Sequence, residues 1–140
     1  MLALYGMSTK IDKSRNLFNR EDFIEGVRKR FPESLKEMYG LEDELLHIDM
    51  SNFARTTETA IEVQDIDLAK DHLNFMSEML SRADPDLINA INVSYLEHVF
   101  LFKDDPRYTK VRKMLPENLA KELIELGEHF EKLAKRKNAI

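Results

Sequence analysis

The sequence predicts an all-α protein, and three observations carry that expectation. Apolar residues recur at steps of three and four from about residue 19 onward, with no stretch of period two. Gly and Pro number only four each in 140 residues, too few punctuation points for a sandwich or barrel of short strands. Two Asp-Pro pairs, Asp84-Pro85 and Asp105-Pro106, place an N-cap acceptor directly before a proline at the first helical position.

The elements follow in order. Asn19 is a plausible N-cap with Glu21 and Asp22 in the first turn, and Phe23, Ile24, Val27 and Phe31 share the apolar face of the first helix. Pro32 ends or bends it, and Leu35 and Met38 continue a short turn to Gly40, a natural C′ residue. Leu46, Met50, Phe53, Thr57 and Ala60/Ile61 define a helix over 45–63, which Asp65–Asp67 breaks. Ala69, His72/Leu73, Met76 and Met79/Leu80 define the next, over 67–82. The helix opened by Pro85 runs over 85–103. Its apolar residues, from Leu87 and Ile88 to Val99, Phe100 and Phe102, surround most of the circumference, so it is expected to be the central, most buried helix. Pro106 opens a short helix through Met114, and Pro116 precedes a long one over 117–136. Gly127 lies on the stripe of that last helix and suggests a close helix crossing.

The short connections force antiparallel neighbours. The expected architecture is a compact bundle of about five to six helices, or a stack of helical hairpins resembling HEAT-type repeats, in one domain over 19–140. Residues 1–18 read as an N-terminal extension, in part disordered. Met7 is as good a start as Met1, and a docking strand is the alternative for 1–6.

Composition bounds the function. Lys and Arg total 21 and Asp and Glu 26, a net charge of −5, which opposes general binding to phosphate backbones. Without cysteine, these residues form no disulfide scaffold, thiolate zinc site or cysteine nucleophile. Met1–Gly6 is too short an apolar stretch for a secretory signal, and no apolar run reaches the roughly 18 residues of a membrane span. A cytoplasmic chain with no membrane partner is expected.

Charge is segregated along the chain. Residues 1–40 carry a net +2, residues 41–104 a net −10 and residues 105–140 a net +3. Glu58, Glu62 and Asp65 share one helix face, and Asp67 and Asp71 begin the next helix beside them. With few internal counterions, such a cluster can recruit a basic partner and speed its association. A solvated, solubilising surface is the bland alternative.

The chemical motifs are thin. His47, His72, His98 and His129 form no pair at spacing three or four, and no His-Glu-x-x-His occurs, so no metal site is expected. Asp65-Ile66-Asp67 with Asp71 lacks the glycine and the closing glutamate of a calcium loop. Ser51, Ser77, Ser81 and Ser94 sit in no nucleophile elbow, and no Gly-rich phosphate loop occurs. Neither a catalytic residue nor a cofactor is expected. The basic clusters Arg28-Lys29-Arg30, 107–113 and 132–137 belong to no recognition helix, and no nucleic-acid partner is expected.

The stretch over 73–100 carries a resemblance. Phe75-Met76-Ser77-Glu78-Met79-Leu80, the Asp84 turn, Asn89 and Val93-Ser94-Tyr95-Leu96-Glu97 make it similar to a group of small all-helical bacterial proteins of unknown function. Some members of that group look like immunity proteins of toxin systems. The resemblance covers a fifth of the chain, implies a compact helical fold and carries over no catalytic residue. Together with the −10 centre it yields the leading expectation. This is a protein-interaction module, most concretely an immunity protein that blocks a basic toxin through Glu58, Glu62, Asp65, Asp67 and Asp71. The alternative is a regulatory or scaffolding domain that binds its partner through an apolar groove.

Overall fold

The computed structural model describes residues 16–38 and 45–138, and these form seven helices. They are α1 (Arg20–Arg30), α2 (Pro32–Glu37), α3 (Leu46–Glu62), α4 (Ile66–Ser81), α5 (85–100), α6 (Pro106–Arg112) and α7 (Glu117–Asn138). The count exceeds the expected five to six because Pro32, at N1, starts a separate helix after the Phe31 cap. Gly40, and the docking-strand alternative for 1–6, lie outside the described residues.

The caps are those the residue types dictate. Asn19 and Asp22 form a reciprocal capping box at α1, so two otherwise unpaired amides gain acceptors. Asp65 accepts from the Leu68 amide at α4, Asp84 from Leu87 at α5 and Asp105 from Arg107 at α6. α3 ends in a Schellman motif, with Asp65 N donating to Ala60 O and Gln64 N to Ile61 O. Gln64 stands at φ 61, where glycine is usual. Residues 16–18, which the sequence assigns to the extension, reach the α4–α5 turn. Phe18 N donates to Arg82 O, Asp84 N donates to Phe18 O, and the Arg82 guanidinium covers the Phe18 ring.

Helix α3 organises the bundle. It packs against α2, α4, α6 and every part of α5, while α7 lies across α4 and α5. Phe23, Phe31, Phe53 and Phe75 form an aromatic cluster at its centre, with centroid separations of 5.5–6.1 Å. Gly26 of α1 faces this cluster. A Cβ there would lie 2.6 Å from Phe75 Cε1, and Phe75 is itself locked in the cluster.

The 85–100 helix shares the centre with α3, with Leu87, Ala90, Ile91, Tyr95, Leu96, Val99 and Phe100 all fully buried, while Ile88 and Val93 are 37% and 44% exposed. α5 is also not uniform, since Ile91–Leu96 is π-helical between two α segments, Pro85–Ala90 and Glu97–Phe100. It stops at Phe100 rather than at 103. The Arg112 guanidinium takes up the Phe100 and Lys103 carbonyls, Lys103 Nζ takes up those of His98 and Val99, and Phe102 turns the chain with φ 66. Cations on the last carbonyls of a helix satisfy its free acceptors and oppose its dipole.

Candidate interaction surface

The acidic residues separate into two sets. Glu58 is largely covered, and its carboxylate meets Lys103 Nζ at 2.6 Å and His98 Nδ1 at 3.4 Å. Glu62 accepts the Tyr108 hydroxyl at 2.5 Å, and its carbonyl accepts from Arg107 at 3.0 Å. Burial, and then this hydrogen bond to a carboxylate, push the Tyr108 phenol upward from its ordinary value. These contacts come from 98–108, some forty residues away in sequence, and of them Lys103 is the cation that meets a carboxylate of the cluster. Asp65, Asp67 and Asp71 form the second set. All three are exposed, and Asp65 is occupied in part by its capping role. The nearby Asp105 carboxyl is held down at about 2, first by its hydrogen bonds to the Arg107 side chain and backbone.

The histidines stand apart from one another. His98 is on Glu58, and His129 stacks edge-on to Phe130 at 5.8 Å. No group of three His, Asp or Glu side chains suited to a metal ion occurs among the described residues. His47 Nδ1 lies 2.6 Å from Ser94 Oγ, a pair that sequence inspection missed because 47 residues separate its members. Ser94 is buried in the π-helical segment, and this contact gives its hydroxyl a partner.

His72 is fully buried between Phe31 and Phe53, with centroids at 4.5 and 4.7 Å. Its Nδ1 lies 2.8 Å from Thr57 Oγ1, which also meets Tyr95 Oη at 2.9 Å and Phe53 O at 3.4 Å. Nδ1–H and Tyr95 O–H donating to Thr57, with Thr57 donating to Phe53 O, uses every hydrogen. His72 Nε2 is then an unpaired acceptor rather than an unpaired N–H, the less costly arrangement. Desolvation lowers the His72 pKa to about 4, so the ring is neutral at pH 7, and burial pushes Tyr95 upward.

A concave apolar surface lies elsewhere. A groove of about 840 Å³ runs between 101–102 and the last turns of α7, lined by Leu101, Phe102, Gly127, Phe130, Leu133 and Ala134. Its rim carries Glu131, Arg136 and Lys137. The stripe of α7 explains it. Leu119 and Leu123 are buried and Leu126 packs on the same core, while the face continues through half-buried Phe130 to exposed Leu133/Ala134. Phe102 touches Phe130 edge-on at 5.6 Å and is otherwise 76% exposed; Leu133 is 41% exposed. Gly127 makes no close crossing among the described residues, contrary to expectation: a Cβ there would meet nothing of them within 4 Å.

No described helix is long and apolar enough to cross a membrane. Residues 24–132 match the family described as a domain of unknown function, DUF7674, and the chain belongs to that family. The match begins well before the 73–100 stretch on which the sequence resemblance rested. No curated protein and no solved structure matches the chain.

Proposed function

We propose that this chain is a non-catalytic protein-interaction module whose docking face is the apolar groove beside α7. The observation that carries this reading is the continuation of the α7 stripe past the body of the bundle. An amphipathic helix gains most of its stability by burying its apolar face, and here the described residues leave Leu133 and Ala134 at the end of that face exposed. Phe102, Phe130 and Leu133 supply the clustered aromatic and aliphatic anchors from which docking energy comes.

Charge supports a second reading, that of an immunity protein taking a basic toxin on Asp65, Asp67 and Asp71. Glu58 and Glu62 contribute less to it than sequence suggests, since Lys103, Tyr108 and Arg107 already engage them. Either reading has the chain act in the cytoplasm.

Tagged chain incubated with host extract separates the two. A stoichiometric partner that survives a high-salt wash and is lost with Phe130→Ser supports the groove. A partner released by salt, lost with Asp67→Lys and indifferent to Phe130→Ser supports the acidic face and overturns the groove.

A further inference from the structure

We infer that the groove is filled by a second copy of this chain, the two α7 helices lying antiparallel about a two-fold axis close to Phe130. The inference rests on the reading of the groove as a docking face and names its occupant. Charge complementarity selects that occupant. Residues 117–131 of α7 hold five glutamates and one lysine, a net −4, whereas residues 132–137 hold Lys132, Lys135, Arg136 and Lys137 and no acid, a net +4. An antiparallel pair sets the acidic part of each helix along the basic end of the other, twice over. A parallel pair would set like charges together.

The same register solves the packing. With residue 127 of one copy opposite residue 134 of the other, Gly127 faces Ala134 at two symmetric points, and the helix backbones can approach closely there. The open space above Gly127 is the room such a crossing needs. Phe130 and Leu133 then fill the seam, with Phe102 of each copy closing its flank. Glu128, on the flank of the contact face, lies beside Lys132 and Lys135 of the other copy. In this register residue 124 meets residue 137. The overlap therefore spans the part of α7 that the bundle leaves uncovered and stops near Leu123, where the helix is already buried. Ile124, 62% exposed, falls inside the overlap.

Sedimentation equilibrium of the full chain, from low micromolar to submillimolar concentration, tests this. The expected mass rises to twice the 16.4 kDa of one chain. Leu133→Glu, at an exposed position that leaves the bundle intact, is expected to abolish the rise. Glu128→Lys and Lys132→Glu/Lys135→Glu are each expected to sediment as monomers, and their equimolar mixture to recover the doubled mass. Circular dichroism confirms that each variant is folded. A dimer indifferent to Leu133→Glu, or mixed variants that stay monomeric, overturns the arrangement. A wild-type chain that is monomeric throughout overturns the second copy, and dye uptake then locates the failure. Anilinonaphthalenesulfonate bound by wild type and lost with Phe130→Ser leaves the groove as a docking face for another protein. No uptake overturns the groove reading as well.

Discussion

Gly26 and Gly127 both interrupt long amphipathic helices on or beside the apolar face, and they have opposite surroundings. At Gly26 the tip of the Phe75 ring occupies the space a methyl group would need. At Gly127 that space is empty. A glycine costs a helix interior roughly 1 kcal/mol relative to alanine. At Gly26 the aromatic cluster offsets that cost, and among the described residues nothing packs on Gly127 to offset it. The two halves of α7 repeat the contrast, Leu119 and Leu123 buried and Leu133 bare on one continuous stripe.

Four expected outcomes sharpen or break this comparison. The largest separates the halves of α7. Leu119→Ala, at a fully buried site, should lower unfolding stability by about 2–5 kcal/mol. Leu133→Ala, in dilute monomer, should change it by less than about 0.5 kcal/mol. Urea denaturation measures both, and equal losses would mean that α7 is docked along its whole length.

Next comes a property of the packed core that the groove lacks. Burial sets the His72 pKa at about 4 in the folded state against an ordinary 6.5. The folded pKa is the lower one, so the contribution is present in full above about pH 6.5 and is lost as pH falls toward 4. It amounts to at most about 3 kcal/mol. Denaturation of wild type and His72→Leu across that window should show a steeper loss in wild type. Parallel curves would place a charged or hydrated imidazole in the native core.

The glycines give the two smaller effects, of opposite sign. Gly26→Ala should destabilise by about 1–3 kcal/mol, because the Phe75 ring has nowhere to retreat among Phe23, Phe31 and Phe53. Gly127→Ala, made in the Leu133→Glu background to hold the chain monomeric, should stabilise by about 0.5–1 kcal/mol. Thermal melts of the two variants decide the matter, and a loss at Gly127 would reveal a contact within the chain.

Much of the fold is legible in the sequence because its signals are local. Asn19, Asp84-Pro85 and Asp105-Pro106 mark helix starts through hydrogen bonds spanning two or three residues, and the structure opens α1, α5 and α6 at those positions. What escapes is decided by distant residues. Phe75 gives Gly26 its meaning from 49 positions away, and Lys103 neutralises Glu58 from 45. The end of α5 escapes for the same reason. Phe100 and Phe102 continue the apolar pattern, and Arg112 holds the carbonyls where the helix stops. Periodicity marks the α7 stripe over its full length, but it is blind to where the body beneath that stripe ends. The groove is that mismatch, an apolar face longer than the bundle it packs on.

The most direct test is amide hydrogen exchange along α7 at low and high protein concentration. The account predicts strong protection over 117–126 at both concentrations, and protection over 127–137 that rises with concentration. Protection over 127–137 that is independent of concentration, and as strong as over 117–126, would contradict it.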